Sequence, residues 1–234
     1  MQTTLGTRYQ QVGVVVCDMD NTLFDFVEAK LEACRCVVDY LGTGDPEALF
    51  QMFLRGVYGF EDTRNIRDYL EALGVYQART FEVCCRTYED VKLDLVRPYP
   101  GVEETLRCLK EAGIRLAIAT DAESVQADRR LRKTGLIDFF EVVVTPEVSG
   151  QRKPEPASLL YALQKLDATP EGAMMVGDSL ARDIAPGLQL GMVTAFAEYG
   201  AWHRSRAVDI SADIVLSEFS DILDHVNVQD RHHP

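Results

Sequence analysis

Residues 12–22 read VGVVVCDMDNT, a short apolar run that ends abruptly at Asp18. An unbroken apolar run of this length is typical of a parallel strand that is buried on both faces. Two acids, Asp18 and Asp20, and the hydroxyl of Thr22 follow it. The stretch predicts a central strand of an α/β sheet with polar side chains at its carboxyl end.

The segment after this strand is predicted to be helical. Residues 25–97 carry four helical patterns and no convincing strand. In the first helix, apolar residues recur at alternating spacings of four and three, which predicts one stripe facing other helices. These residues are Val27, Leu31, Cys34, Val38 and Leu41. We expect Asp25 to cap this helix, because Glu28 follows three residues later.

From Gly101 onward, strand and helix patterns alternate, which indicates a parallel sheet built from βαβ units. The candidate strands are 114–120, 141–144, 173–176 and 192–196, with a possible edge strand in 210–216. The candidate helices are 124–133, 157–166 and 181–190, with a last one running through Val226.

The fold class predicted from these patterns is α/β. We expect a doubly wound, Rossmann-like, mostly parallel sheet of about five or six strands with an inserted all-helical cap domain. Residues 1–24 and 98–234 would form the core, and residues 25–97 the cap.

The charge and composition of the chain indicate which classes of binding partner it can have. The chain of 234 residues has a formal net charge of −13, which disfavours nucleic acids and anionic membranes. Met1–Gln11 does not read as a secretory signal, and no run approaches membrane-spanning length. The six cysteines lack paired CxxC spacing and are expected to be reduced thiols. We therefore expect a cytoplasmic protein that acts on a small molecule.

Polar residues cluster where the predicted strands end. Four loops, 18–23, 120–122, 151–156 and 177–183, are expected at one edge of the sheet. Several acids crowded there would repel one another strongly unless a hard cation lay among them. Oxygen ligands favour Mg²⁺.

These loops carry a resemblance to a known family. Asp18-x-Asp20-x-Thr22, Thr120, Lys153-Pro154 and Gly177-Asp178-x4-Asp183 resemble, in order, the four motifs of the haloacid dehalogenase superfamily. The helical insertion after the first motif resembles the family's helical cap of the first type. The resemblance covers essentially the whole predicted core.

The resemblance implies a mechanism. Asp18 would attack phosphorus in line and form an aspartyl-phosphate. Asp20 would protonate the leaving oxygen and then deprotonate the water that hydrolyses the intermediate. The side chains of Asp18 and Asp178 and the backbone carbonyl of Asp20 would hold Mg²⁺, with Asp183 orienting the metal shell or its waters.

The resemblance also implies a phosphate site. The Thr120 hydroxyl, backbone N–H groups near Met19 and Asp121, and the Lys153 ammonium would bind the phosphate oxygens. A different interpretation stays open for Asp121, which could cap the following helix.

The function expected from these observations is a Mg²⁺-dependent phosphatase for a small phosphorylated metabolite that is phosphoglycolate-, sugar- or nucleotide-phosphate-like. A phosphomutase or dehalogenase on the same fold, or a non-catalytic binding protein, remains open. A dehalogenase needs no metal, so the presence of Asp20 and Asp178 favours phosphoryl chemistry. The cap residues Arg55, Tyr58, Phe60, Arg64 and Arg67 could meet a second polar group on the substrate or could be solvated.

Overall fold

The computed structural model describes residues 12–202 and 209–227. The prediction for Met1–Gln11 concerns residues outside these ranges. The chain divides into two compact units, one with the described residues up to Asp25 and from Arg97 onward, the other Phe26–Val96. Among the described helices, none has both the length and the apolar character needed to cross a bilayer.

The first unit is built on a parallel sheet, which confirms the predicted α/β class. Within the described residues the sheet has six strands in the order β3-β2-β1-β4-β5-β6. They are β1 Val14–Cys17, β2 Arg115–Ala119, β3 Val142–Val144, β4 Ala173–Gly177, β5 Val193–Ala197 and β6 Ile214–Leu216. β1 lies between β2 and β4 in the middle of the sheet, and all four of its residues are buried.

The second unit consists of four helices. They are α1 Phe26–Leu41, α2 Pro46–Leu54, α3 Arg64–Ala72 and α4 Ala78–Leu95. Val27, Cys34 and Val38 of the predicted stripe on α1 are buried in the core of this unit. The other two stripe residues, Leu31 and Leu41, are partly buried against the same core.

Two buried lysines hold one segment of the second unit. Lys30 of α1 donates to the carbonyl oxygen of Phe60, and its Nζ lies 3.3 Å from the centroid of the Phe60 ring. Lys92 of α4 pairs with Glu61 at 3.1 Å and with Glu89 at 2.8 Å. Consecutive residues 60 and 61, between α2 and α3, are therefore tied to two different helices.

Helices on the sheet complete the first unit. They are α5 Val102–Glu111, α6 Ser124–Lys133, α7 Pro146–Ser149, α8 Ala157–Lys165 and α9 Ala185–Leu190. On one face of the sheet, a cluster of buried residues joins it to α8. This cluster includes Val14, Val16, Ala117, Leu159, Leu163 and Met175.

Two predicted helices differ from expectation. The pattern over 181–190 is a π-helical turn, Leu180–Ile184, followed by α9. Pro186 explains the break, because proline has no N–H and its ring clashes with the carbonyl four residues earlier. The predicted last helix is a short 3₁₀ segment, Phe219–Asp224, with a capping box between Glu218 and Asp221.

Candidate active site

Asp18 and Asp178 reach the same edge of the sheet because their strands are neighbours. β1 pairs in parallel with β4, and each acid directly follows its strand. The N–H of Asp18 donates to the carbonyl oxygen of Val176 at 2.8 Å, which extends the ladder by one residue. Both acids are buried.

A third acid joins them. One carboxylate oxygen from each of Asp18, Asp178 and Asp183 lies within 4.8 Å of the others. Asp183 is fully buried in the π-helical turn, and its Oδ2 accepts the N–H of Ser179 at 3.0 Å. Three carboxylates this close in a poorly hydrated site require positive charge.

Lys153 supplies part of that charge. Its Nζ is buried and donates to Asp18 Oδ1 at 2.5 Å and to Asp183 Oδ1 at 2.6 Å. Burial alone lowers the pKa of Lys153, but the negative charges of Asp18 and Asp183 outweigh it and hold the pKa above its ordinary value. The side chain therefore stays an ammonium, and its third N–H can meet an anion.

Asp178 is the acid whose surroundings call for a cation. Burial, with added repulsion from the charges of Asp18 and Asp183, raises the pKa of Asp178 to about 8. Its Oδ1 is buried and has no hydrogen-bond partner among the residues that the structure describes. A bound cation would relieve both conditions, and an all-oxygen donor set suits a hard ion. The residues therefore fit the Mg²⁺ expected from the sequence.

Thr120 and Asp121 stand in the loop after β2. The buried Oγ1 of Thr120 accepts the N–H of Ala122 at 3.1 Å. The carboxylate of Asp121 accepts the N–H of Lys153 at 2.9 Å, so it joins this loop to the one that carries Lys153. The N-cap of α6 is Glu123, which argues against Asp121 as the cap. A role for Thr120 and Asp121 in phosphate binding stays a prediction.

Asp20 lies in the turn between β1 and α1, near but outside the cluster of three carboxylates. Its side chain is 20% exposed, and its Oδ2 accepts from Nη1 of Arg130 on α6. The sequence interpretation gave Arg130 no role. A signal was present in the sequence, because Arg130 lies three residues after Ala127 and next to Leu131, two apolar residues at helical spacing.

Two further arginines surround Asp121. Nη1 of Arg152 donates to the backbone carbonyl of Asp121 at 2.5 Å, and Nη1 of Arg182 lies 3.7 Å from its carboxylate. The Arg182 side chain is 50% exposed. Both arginines fall inside loops singled out from the sequence, but motif spacing alone assigns them no function. They bring positive charge to a site in an otherwise acidic chain.

The turn after Asp18 is held by residues that follow β5, two strands away from β1 in the sheet. The hydroxyl of Tyr199, after β5, donates to the carbonyl oxygen of Thr22 at 2.6 Å. A side chain at Gly200 would overlap the carbonyl of Asn21, so this position accepts only glycine. Asn21 itself has a φ of 60°, in the left-handed region that asparagine tolerates.

The polar cap residues singled out from the sequence have partners in their own unit. Arg55 pairs with Asp68, and Arg64 pairs with Asp62 at 2.6 Å. The Arg64 guanidinium also lies 4.4 Å from the centroid of the Tyr58 ring.

The chain is similar to known proteins over most of its length. A family model described as haloacid dehalogenase-like hydrolase matches residues 15–197. The chain is similar to a glyceraldehyde 3-phosphate phosphatase of Methanocaldococcus jannaschii, with 29% identity over 219 residues, covering 91% of this chain and 96% of that protein. It is also similar to the pyrophosphatase PpaX of Halalkalibacterium halodurans, with 30% identity over 227 residues, covering 94% of this chain and all of that protein.

Solved structures show the same fold. One of them, from Thermotoga maritima and described as a candidate β-phosphoglucomutase, superposes with a TM-score of 0.76 at 25% identity. The match covers 91% of this chain and 97% of that one. Because 91% of this chain is more than either compact unit contains, the matched region includes residues of both units.

Proposed function

Because the chain belongs to the haloacid dehalogenase-like hydrolases and is an enzyme that acts on phosphate esters, we propose that it hydrolyses a small phosphate monoester with Asp18 as the nucleophile. The resemblance drawn from the four sequence motifs is confirmed at the level of the family. The observation that best supports the proposal is the cluster of Asp18, Asp178 and Asp183, in which buried Lys153 bonds to Asp18 and Asp183.

The contacts of Asp18 support its proposed role as the nucleophile. Lys153 and the Thr22 hydroxyl, at 2.5 Å and 3.4 Å, contact its two carboxylate oxygens and restrict the direction in which the carboxylate points. In the proposed reaction, a bond forms between a carboxylate oxygen of Asp18 and phosphorus as the bond from phosphorus to the ester oxygen breaks. Asp20 gives its proton to that oxygen and then takes one from the water that hydrolyses the aspartyl-phosphate.

Magnesium fits the carboxylates at the strand ends. The side chains of Asp18 and Asp178 and the backbone carbonyl of Asp20 would hold it, with Asp183 behind them. When bound, the ion supplies positive charge that offsets repulsion between the acids and the phosphate. Asp183 has a second proposed role that needs no metal, because its carboxylate holds the Lys153 ammonium in place beside Asp18.

Phosphate binding is proposed for Lys153, Thr120 and the backbone near Asp121. The third proton of Lys153 can bind a phosphate oxygen while the other two stay on Asp18 and Asp183. Half-exposed Arg182 favours substrates that carry more than one negative charge. The similar proteins are named for glyceraldehyde 3-phosphate and for pyrophosphate, so the proposal covers small phosphate compounds.

The test is release of inorganic phosphate from 4-nitrophenyl phosphate and from a panel of phosphorylated metabolites. With Mg²⁺ the protein should hydrolyse 4-nitrophenyl phosphate and at least one metabolite of the panel, and EDTA should abolish the activity. Asp18→Asn should lower the rate by at least about a thousandfold, since it removes the attacking oxygen. Arg86→Gln is the control, because Arg86 is exposed and pairs with the exposed Glu82 on its own helix.

A rate that survives EDTA or Asp18→Asn would contradict the proposal. Metal binding has a separate readout in thermal unfolding. Mg²⁺ should raise the midpoint of the wild type by mass action and should raise that of Asp178→Asn much less.

A further inference from the structure

Arg130 is a buried arginine that the proposed reaction does not yet use. It stands on α6, its side chain is 1% exposed, and it is the largest of the fully buried side chains that the structure describes. Its Nη1 pairs with Oδ2 of Asp20, a residue 110 positions earlier in the chain.

A contribution to stability does not by itself explain why this ion pair is buried. Removing a guanidinium and a carboxylate from water is unfavourable, and well-packed apolar residues often replace such pairs without loss of stability. Arg132, two residues later on the same helix, shows the ordinary arrangement. It is exposed and pairs with Asp128 on its own helix at 2.9 Å.

The pair between Arg130 and Asp20 fixes the orientation of the Asp20 carboxylate. Asp20 follows the end of β1 and lies in a turn outside the sheet, where it forms an isolated bridge with Phe24 and Phe24 forms another with Pro98. Regular secondary structure therefore does not orient its side chain. A planar guanidinium, which only donates and stays charged, restricts the carboxyl through Oδ2.

We propose that Arg130 is a positioning residue that holds the Asp20 carboxyl where it transfers a proton to the leaving oxygen. This inference rests on the proposed function, in which Asp20 is the acid and base. The proton passes from Asp20 to the ester oxygen as the bond to phosphorus breaks and the bond from Asp18 forms. Arg130 transfers no proton and touches no reacting atom.

Leaving groups separate positioning from a general structural role. The value of kcat/KM reports the steps through departure of the leaving group. An alkoxide needs a proton in order to leave, whereas 4-nitrophenolate leaves readily without one. Misplacing Asp20 should therefore slow alkyl phosphates and leave the aryl phosphate nearly unaffected.

The experiment compares 4-nitrophenyl phosphate with glyceraldehyde 3-phosphate or phosphoglycolate, whichever the wild type hydrolyses faster. Arg130→Gln should lower kcat/KM for the alkyl phosphate about a hundredfold, with little change for the aryl phosphate. Arg130→Lys should recover part of the loss, because it restores a charged donor. Adding Arg130→Gln to Asp20→Asn should cause little further loss on the alkyl phosphate, because the two residues act as a unit.

Arg132→Gln is the matched control and should behave as the wild type. Arg130→Met, which fills the buried space without charge, takes the place of Arg130→Gln if that variant fails to fold. Equal losses on both substrate classes, or no loss on either, would overturn the inference. The inference would also be overturned if Arg130→Gln, Arg130→Lys and Arg130→Met all failed to fold, because Arg130 would then be purely structural. Failure of the proposed function looks different, since wild-type turnover would then be independent of Asp18.

Discussion

Burial and two neighbouring carboxylates, Asp18 and Asp183, all raise the pKa of Asp178. Together they raise its pKa to about 8, against an ordinary value of 3.8. Lys153 bonds to Asp18 and Asp183 but not to Asp178, so this acid keeps a buried oxygen without a hydrogen bond among the described residues. Of the three clustered acids, Asp178 is therefore the one whose charge Lys153 does not directly neutralise.

The pKa of Asp178 predicts how stability varies with pH in EDTA. A carboxyl with a raised folded pKa contributes stability that is fully present below the unfolded pKa and is lost as pH rises through the folded pKa. The metal-free protein should therefore lose stability between about pH 4 and pH 8. Asp178→Asn should reduce that loss by about 1 kcal/mol or more, measured by urea unfolding across the range. Parallel pH profiles for the two proteins would contradict the prediction.

At the scale of elements, the tight junction between β4 and the π-helical turn controls where Asp183 lies. Gly177 ends β4, and a side chain there would overlap the Cβ and carboxylate of Asp183. Glycine at this point lets the buried acid fold back against the strand and meet Lys153.

Gly177→Ala should therefore disturb Asp183 and, through it, Lys153. We expect a loss of about 1–3 kcal/mol in the free energy of unfolding, as for other overpacked sites, with reduced phosphatase activity. Gly13→Ala is the matched control, since Gly13 precedes β1 and nothing lies within 4 Å of the added methyl group. The control should stay within about 0.5 kcal/mol of the wild type. A Gly177→Ala protein as stable and active as the control would show that the junction has room.

At the scale of the whole molecule, each of the two compact units contains a cluster of buried apolar residues within the part of the chain that the structure describes. One cluster packs the sheet against α8, and another lies among α1–α4. Phe50 of α2 is fully buried in the second cluster, whereas Tyr40 of α1 is 52% exposed. Each unit therefore has its own hydrophobic source of stability.

Phe50→Ala should destabilise the helical unit selectively. A buried phenylalanine replaced by alanine costs about 3–5 kcal/mol, whereas Tyr40→Ala should stay within about 0.5 kcal/mol. Hydrogen exchange followed by mass spectrometry should show faster exchange in Phe26–Val96 for Phe50→Ala, with the sheet strands little changed. Equal acceleration in both units would mean that they unfold as one.

Local patterns made much of the fold predictable. The buried strand before Asp18 and the alternation of strands and helices after Gly101 follow from hydrophobic period, which acts over a few residues. The same patterns missed α5 and α7 and did not anticipate the π-helical turn before Pro186. α7 has four residues, too few for a hydrophobic period to emerge. α5 has ten residues with Val102, Leu106 and Leu109 buried, so its period was present in the sequence.

The sequence by itself determined which residues can do the chemistry, because an acid or a lysine after a strand end is readable from the strand that precedes it. Only the tertiary structure decided which partners those residues have. It set Lys153 between Asp18 and Asp183, left Oδ1 of Asp178 without a hydrogen bond among the described residues, and brought Arg130 to Asp20. Such contacts join residues distant in the chain, and their energies depend on distance and burial, which no local pattern encodes.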